Sequence, residues 1–403
     1  MWGEVEVPAA KNAVLPHLAA SVMIEDEVTL LDCPHLADVD AMLRLLRGLG
    51  VKVSEQDRTI TLSACGNIDP YVTNGTDVMR SSLFLLGPLL ARTGEAVIGL
   101  PGGCVIGARP IDIHLAGLRA LGVEVEERAD RVICRVKREV GGTFRLPYPS
   151  VGATINLICL ATRARDPVTL HNVALEPEVA DLIAFLLRCG VYVRQFGRTI
   201  EIYGKPKRGV RYRPVSDRIW AGTVLGAVAV TSGEVTLRGI SPDLLDDWIG
   251  KIHNKCCQIQ TSCDTIRVSA WGNHLSRHFV TAPYPGFATD LMAMASVYDA
   301  TAEGVGSVRE TVFESRFAIL TQLSKMGVRS SVSGDTAWIK GGRLHGAEVV
   351  APDLRAGAAL VVAALSAQGD SLIHGVELVD RGYERFENTL TSLGAHVVRT
   401  DER

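Results

Sequence analysis

LLRGLGVKV, residues 45–53, ends a stretch of helical spacing on a glycine and continues at once as an alternating strand. That order reads as a helix stopped by a left-handed glycine, followed by a strand with one buried face. The phrase returns as LRALGVEV (118–125), FLLRCGVYV (185–193), LSKMGVRSS (323–331) and LTSLGAHVV (390–398). A damaged copy, KIHNKCCQI (251–259), puts Cys256 where the glycine belongs, so the helix there must be ended by other means. The copies recur every roughly 70 residues, and a fixed period of that kind marks a repeated structural unit.

Around each phrase the same neighbours recur. A second strand usually follows, as in RTITL, DRVICRV, RTIEIYG, DTIRVSA and DTAWIKG. A helix of small and apolar residues precedes, as in AAKNAVLPHLAASVM, SVGATINLICLATRA or DLRAGAALVVAAL, and leads into a short strand such as EVTLLDCP or PVTLHNVA. The chain is therefore read as α/β, built from six repeated helix–strand–helix–strand–strand units in two domains of three. The break is placed at the basic, proline-containing segment RGVRYRPVSDR. This gives residues 9–216 as one domain, carrying Cys104, and residues 1–8 with 217–403 as the other, with the active site expected in the cleft between them. The opening strand GEVEV is expected to cross over and complete the sixth unit, which lacks its last strand.

The 403 residues are 47% hydrophobic and 22% charged, with a net charge of −3. That balance excludes nucleic-acid binding by bulk electrostatics, so any polyanion site must be built locally. Nine cysteines without tight spacing give no disulfide framework. Cys256, Cys257 and Cys263 lack a second cysteine pair or paired histidines, so neither a metal nor a cofactor is expected. MWGEVEVPAAKNAVLP has no basic leader and the apolar runs are too short to span a bilayer, so a cytoplasmic protein with no membrane partner is expected.

The chemistry-bearing stretch is LPGGCVIGARPIDIHL, residues 100–115. Two glycines before Cys104, with Arg109 close behind, describe an accessible loop thiol biased toward thiolate. Pro110 suits the first turn of the helix that follows. The repeat then makes the other polar residues legible. First helices open with Lys11 and Asn12, Arg80, Ser150 to Gly152, Asp217 and Arg218, Asp290, and Asp353 with Arg355. Second helices open near Asp38, Arg109, Glu176 and Glu178, Asp243, Arg316 and Arg381. Taken singly, each arginine reads as a surface ion pair, and Asp217, Asp290 and Asp353 read as N-caps. Recurrence at equivalent helix starts, which are anion sites before any side chain is added, points instead to a substrate carrying several negative charges. Asp290 and Glu178 are the candidate bases.

These residues, taken together, resemble the enolpyruvyl transferases that act on UDP-N-acetylglucosamine. The likeness runs nearly end to end. It includes AKNAVLP (10–16), MRSSLFLLGPLLAR (79–92), the Cys104 stretch, SVGAT (150–154), EPEVADL (176–182), DRI (217–219), PGFATD (285–290), ETVFESRF (310–317), DLRA (353–356) and DRGYERFE (380–387). The resemblance implies a two-domain inside-out α/β barrel. It also implies transfer of enolpyruvyl from phosphoenolpyruvate to the 3′-hydroxyl of UDP-N-acetylglucosamine, with release of phosphate, at the first committed step of peptidoglycan synthesis. By that likeness Cys104 is the proton donor, which also forms covalent adducts and is the target of the epoxide fosfomycin, and Asp290 is the base. Lys11 and Arg381 join them as catalytic groups. Lys11, Asn12, Arg109, Arg316, Arg355 and Arg381 hold phosphoenolpyruvate. Arg80, Arg109, Pro110, Ile111, Asp112, Ile113, Ser150, Val151, Gly152, Asp290 and Val312 line the sugar-nucleotide site. The protein is expected to act as a monomer or weak homo-oligomer on small molecules alone.

The sequence departs from the family pattern at Ala37, Tyr148, Trp220 and Ala288, and at Met292 and Met294, where glutamines are usual. Met292, Met294 and Trp220 motivate a second reading, a non-catalytic or altered-specificity paralogue that binds nucleotide sugars. A third, the shikimate-pathway enolpyruvyl transferase, shares the architecture, but the Gly-Gly-Cys loop and the DRGYER stretch are foreign to it.

Overall fold

A computed structural model describes residues 1–72, 80–99, 111–313 and 316–400. The chain divides into two compact units. Among the described residues, one takes those between Ala9 and Val215; the other joins Met1–Pro8 to the chain from Ser216 onward, so Ser216 falls with the second unit. Each has its own apolar core, one drawn from residues between Ala9 and Tyr212, the other from Val7 and residues between Ile219 and Leu393.

The first unit holds three four-stranded sheets of one design. In the first sheet, Val28–Leu30 lies antiparallel to Thr59–Ser63, which forms a hairpin with Lys52–Gln56. The sheet's edge is Arg211–Tyr212, parallel to Val28–Leu30, so the unit's last strand returns to its first repeat. The second and third sheets take their edges from Tyr71–Val72 and Thr143–Arg145, each parallel to the strand that follows it in the chain. Alternation in Thr59–Ser63 and Thr199–Tyr203, with isoleucine or leucine turned inward at every second residue, makes one face of each sheet apolar.

The second unit repeats the design with one difference at its end. Trp2–Glu6 pairs parallel with Gly233–Arg238 and so completes the fourth repeat, not the sixth as expected. Among the described residues, the sixth has the two strands Glu348–Val350 and Leu372–His374. Trp2–Glu6 also touches the last repeat through a backbone bond, Trp2 N–H to the Leu393 carbonyl at 2.7 Å. The sheet of the fourth repeat offers Trp2–Glu6 a full strand edge, whereas the sixth offers no hairpin to extend.

Inside each unit, small-residue helices pack against one another beneath the sheets. Glycine permits the close approach. A Cβ at Gly87 would lie 2.2 Å from the Asn156 carbonyl oxygen, and one at Gly226 would lie 2.7 Å from Met294 Cγ. Helix ends follow the repeat: Gly50, Gly122, Gly190, Gly327 and Gly394 all have φ between 84° and 106°. In the fourth repeat the helix stops at Ile252, and Asn254 replaces the glycine. Its Oδ1 accepts the N–H groups of Cys256 (2.7 Å) and Cys257 (3.1 Å), while its Nδ2 donates to the Ile252 carbonyl at 2.7 Å. Among the described residues, no helix is long and apolar enough to cross a membrane.

Candidate active site

Each unit gathers polar side chains at the starts of its buried helices. In the first unit, Lys11 opens the helix Lys11–Ala20, where a cation opposes the helix dipole. It is nevertheless buried, and its Nζ meets Asp38 Oδ2 at 2.9 Å. Asp38 sits in the first turn of Ala37–Gly48, where a carboxylate is favoured, so one aspartate satisfies both the helix and the lysine. Asn12 follows, half-buried.

Ser150 caps the helix Val151–Ala161, its Oγ accepting the Ala153 N–H at 3.3 Å. Gly152 lies against the imidazole of His114, where a Cβ would come within 2.9 Å of Cε1. His114 is held in turn by Asn156, Nδ2 to Nδ1 at 3.0 Å. The helix Asp112–Ala120 thus brings Ile111, Asp112 and Ile113 beside Ser150, Val151 and Gly152, two stretches distant in sequence. Asp112 is exposed and the two isoleucines are half-buried. Glu178 lies buried in the first turn of Pro177–Arg188, in the unit that holds Lys11 and not in the one that holds Asp290. Arg80 opens a short 3₁₀ helix, Arg80–Leu85, with its side chain outside the described residues. Cys104, Arg109 and Pro110 also lie outside them.

In the second unit the three aspartates separate into two kinds. Asp217 caps Arg218–Thr231 through the N–H groups of Ile219 and Trp220, both at 2.9 Å. Asp353 caps Leu354–Ser366 through those of Arg355 and Ala356. Asp290 instead gives its carboxylate to two guanidinium groups. Oδ1 accepts Arg316 Nη2 at 2.8 Å, and Oδ2 accepts Arg355 Nη2 at 3.1 Å and Nε at 3.3 Å. The arginine side chains are 5% and 6% exposed and the aspartate 25%, so the cluster opens to solvent through its carboxylate. Arg316 also rests on the Phe313 ring, and Arg355 on that of Tyr383, whose hydroxyl meets Thr223 Oγ1 at 2.8 Å.

Burial works against the Arg355 charge, but the Asp290 carboxylate, with Tyr383 and Asp217 behind it, more than offsets this, and its pKa is raised. Arg355 Nη1 is buried without a hydrogen-bond acceptor among the described residues. Unmet buried donors of this kind suit an anionic ligand. Arg381 ends the 3₁₀ helix Val376–Arg381, half-buried and two residues before Tyr383. Val312 stands in the loop between Glu310 and Arg316, its N–H held by Glu310 Oε1 at 2.8 Å.

Sequence reasoning missed Glu310, Thr289 and Tyr383, and it placed Asp38 only as a helix opener. Glu310 begins the ETVFESRF stretch and Thr289 precedes Asp290, so adjacency to site residues was the available signal. Among the described residues, no group of three or more His, Cys, Asp or Glu side chains is placed to hold a metal ion.

Residues 1–390 match the family model described as EPSP synthase (3-phosphoshikimate 1-carboxyvinyltransferase). The chain belongs to this family. Within the EPSP synthase family, it is 42% identical to UDP-N-acetylglucosamine 1-carboxyvinyltransferase 2 of Caldanaerobacter subterraneus, over 99% of this chain and 97% of that protein. It is 41% identical to UDP-N-acetylglucosamine 1-carboxyvinyltransferase 1 of Symbiobacterium thermophilum, over 99% and 93%. A third relative, from Magnetococcus marinus, carries the same enzyme name and is 42% identical over 98% and 96%. The fold matches the crystal structure of the enolpyruvyl transferase NikO from Streptomyces tendae with a TM-score of 0.87, at 21% identity over 98% and 95% of the two chains. It matches EPSP synthase from Acinetobacter baumannii at 0.72, with 18% identity over 97% and 95%. The architecture is therefore the two-domain fold of the enolpyruvyl transferases.

Three of the six departures from the family pattern, Trp220, Met292 and Met294, fall in the core of this family member. Met292 and Met294 are buried, and Met294 fills the space above Gly226. Trp220 is buried in the first turn of its helix. Ala288 precedes the short 3₁₀ helix Thr289–Leu291, Ala37 opens a helix, and Tyr148 is exposed.

Proposed function

We propose that this chain transfers the enolpyruvyl group of phosphoenolpyruvate to the 3′-hydroxyl of UDP-N-acetylglucosamine and releases phosphate. The observation that carries the reading is the Asp290 carboxylate held, partly exposed, between the buried guanidiniums of Arg316 and Arg355. The full-length relatives named for this activity support it.

The reaction is an addition followed by an elimination. The 3′-oxygen bonds to C2 of phosphoenolpyruvate as its proton passes to Asp290, while Cys104 delivers a proton to C3. The resulting phospholactoyl ether then loses phosphate from C2 and a proton from C3, which restores the double bond. Lys11 and Arg381 act on the phosphoenolpyruvate side with Asn12, Arg109, Arg316 and Arg355; guanidinium forks and an ammonium suit a phosphate and a carboxylate held together. Arg80, residues 109–113, Ser150 to Gly152 and Val312 hold the sugar nucleotide. The enzyme works in the cytoplasm without a cofactor, as a monomer or weak homo-oligomer.

The deciding experiment mixes pure protein with phosphoenolpyruvate and UDP-N-acetylglucosamine and follows phosphate release. Release with this acceptor, and none with shikimate 3-phosphate, is expected. Calorimetric binding of UDP-N-acetylglucosamine without turnover would replace the reading with a non-catalytic paralogue. Release with shikimate 3-phosphate alone would replace it with the shikimate-pathway activity.

A further inference from the structure

One buried carboxylate in the second unit has no step of its own in the proposed reaction. Glu310 follows the strand Val305–Arg309 and is 3% exposed. Its Oε1 accepts Thr281 Oγ1 at 2.8 Å and the N–H groups of Val312 and Phe313 at 2.8 Å and 3.1 Å. Its Oε2 accepts Thr289 Oγ1 at 2.7 Å. A carboxylate this deep is tolerable only when its lone pairs are met, and here four donors meet them. They come from three segments: the end of His278–Val280, the turn ahead of Met292–Thr301, and the loop that carries Val312 and Arg316.

The Thr289 bond does more than satisfy burial. A hydroxyl has one proton, and Glu310 takes it, so the Thr289 oxygen is left to accept. Arg316 Nη1 donates to that oxygen at 2.6 Å, while Nη2 of the same guanidinium donates to Asp290 Oδ1 at 2.8 Å. The guanidinium is planar and its two N–H vectors are fixed relative to each other. Where the Thr289 oxygen points therefore sets how Nη2 meets Asp290.

We infer that Glu310 is a positioning residue. It fixes the Thr289 hydroxyl, which orients Arg316, which aims the Asp290 carboxylate. The inference rests on the proposed function for what Asp290 does, and it adds the group that aims it. Glutamine at 310 keeps the shape and can still accept the backbone N–H groups on its amide oxygen. Its amide nitrogen, however, offers a proton to Thr289 and receives none, which reverses the polarity of the relay.

The test measures kcat and KM for phosphate release by the wild type, Glu310→Gln, Thr289→Val, Thr289→Ser and the double variant E310Q/T289V, with urea unfolding alongside. In Glu310→Gln and Thr289→Val, kcat falls about 100-fold, the scale of a small misplacement of a reacting group. KM for UDP-N-acetylglucosamine stays within about threefold, because the relay acts on the chemical step. Thr289→Ser, which keeps the hydroxyl, recovers most of the rate. The double variant loses about as much as either single variant, about 100-fold, since both cut one chain of contacts. If Glu310→Gln fails to fold, Thr289→Val and Thr289→Ser decide. A wild-type kcat in Thr289→Val, equal loss in Thr289→Ser and Thr289→Val, or single losses that multiply in the double variant overturns the inference. No turnover by folded wild type overturns the proposed function instead.

Discussion

Lys11 and Asp38 form a buried ion pair at 2.9 Å, and such a pair contributes little net stability while being costly to break. Asp38→Asn should destabilise the protein by about 3 kcal/mol, read by urea unfolding. Replacing both residues with apolar ones, Lys11→Met with Asp38→Leu, should restore stability to within about 1 kcal/mol while abolishing turnover. Recovery of stability together with activity would leave the pair a purely structural role. The cysteines allow a second test at this scale. Burial pushes the thiols of Cys33, Cys134, Cys189 and Cys257 up to about 12, and it raises Cys159 as well. None of these five holds appreciable thiolate near neutral pH, so the reactive competitors for Cys104 are the exposed Cys65 and Cys263 and the half-buried Cys256. Fosfomycin at pH 7.5 should leave its adduct on Cys104 alone in peptide mapping by mass spectrometry. Equal labelling of Cys65 or Cys263 would mean that exposure, not the loop, decides reactivity.

Helix ends are where the sequence was most legible and also where it stopped being so. Five of six copies end on a left-handed glycine because that conformation has a one-residue signature. The fourth copy ends through the Asn254 side chain, and Cys256 has no positive φ, so the damaged phrase carries a different cap and no strain. Asn254→Ala should cost about 1–2 kcal/mol by stripping the Cys256 N–H of its acceptor and leaving the Cys257 N–H only the Asn254 carbonyl at 3.3 Å. Cys256→Gly, which restores the phrase, should give no gain and lose about 0.5–1 kcal/mol through added freedom in the unfolded chain. Stabilisation of Cys256→Gly in thermal or urea unfolding would contradict this account. The same limit explains the other misreadings. Asp217 and Asp353 could be recognised as caps because their partners are two and three residues away. Asp290 could be set apart as a candidate base but not given its partners, because Arg316 and Arg355, which hold its carboxylate, lie 26 and 65 residues further on. Nor does a parallel pairing such as Trp2–Glu6 with Gly233–Arg238 leave a local trace, so only the existence of that strand was readable.

For the molecule as a whole, pH dependence should turn on a residue that takes no part in the proposed reaction. Asp299 lies on Met292–Thr301 with its carboxylate pressed against Gly306, where a Cβ would come within 2.1 Å of its Cγ. Oδ1 accepts the Arg277 N–H at 2.7 Å, and Oδ2 has no partner among the described residues. Burial raises this carboxyl to about 7, with the Arg277 N–H and guanidinium pulling only partly back. Below about pH 4 the folded and unfolded chains both hold the proton, and nothing is lost. Between about pH 4 and pH 7 only the unfolded chain releases it, so stability falls by about 1.4 kcal/mol per pH unit at most, roughly 4 kcal/mol in all. His17 and His274 work the other way: burial lowers both pKa values, so their contribution is intact above the ordinary histidine range and is lost as pH drops. Because the two slopes oppose, the wild-type profile alone cannot separate them, and Asp299→Asn can. The variant removes the titration and leaves the histidines in place. In urea unfolding from pH 4 to pH 8.5, the stability of Asp299→Asn relative to wild type should climb through the pH 4–7 interval and level off about 4 kcal/mol higher. A difference that stays constant with pH would mean that Asp299 keeps its ordinary acidity inside the fold, against its burial on Gly306.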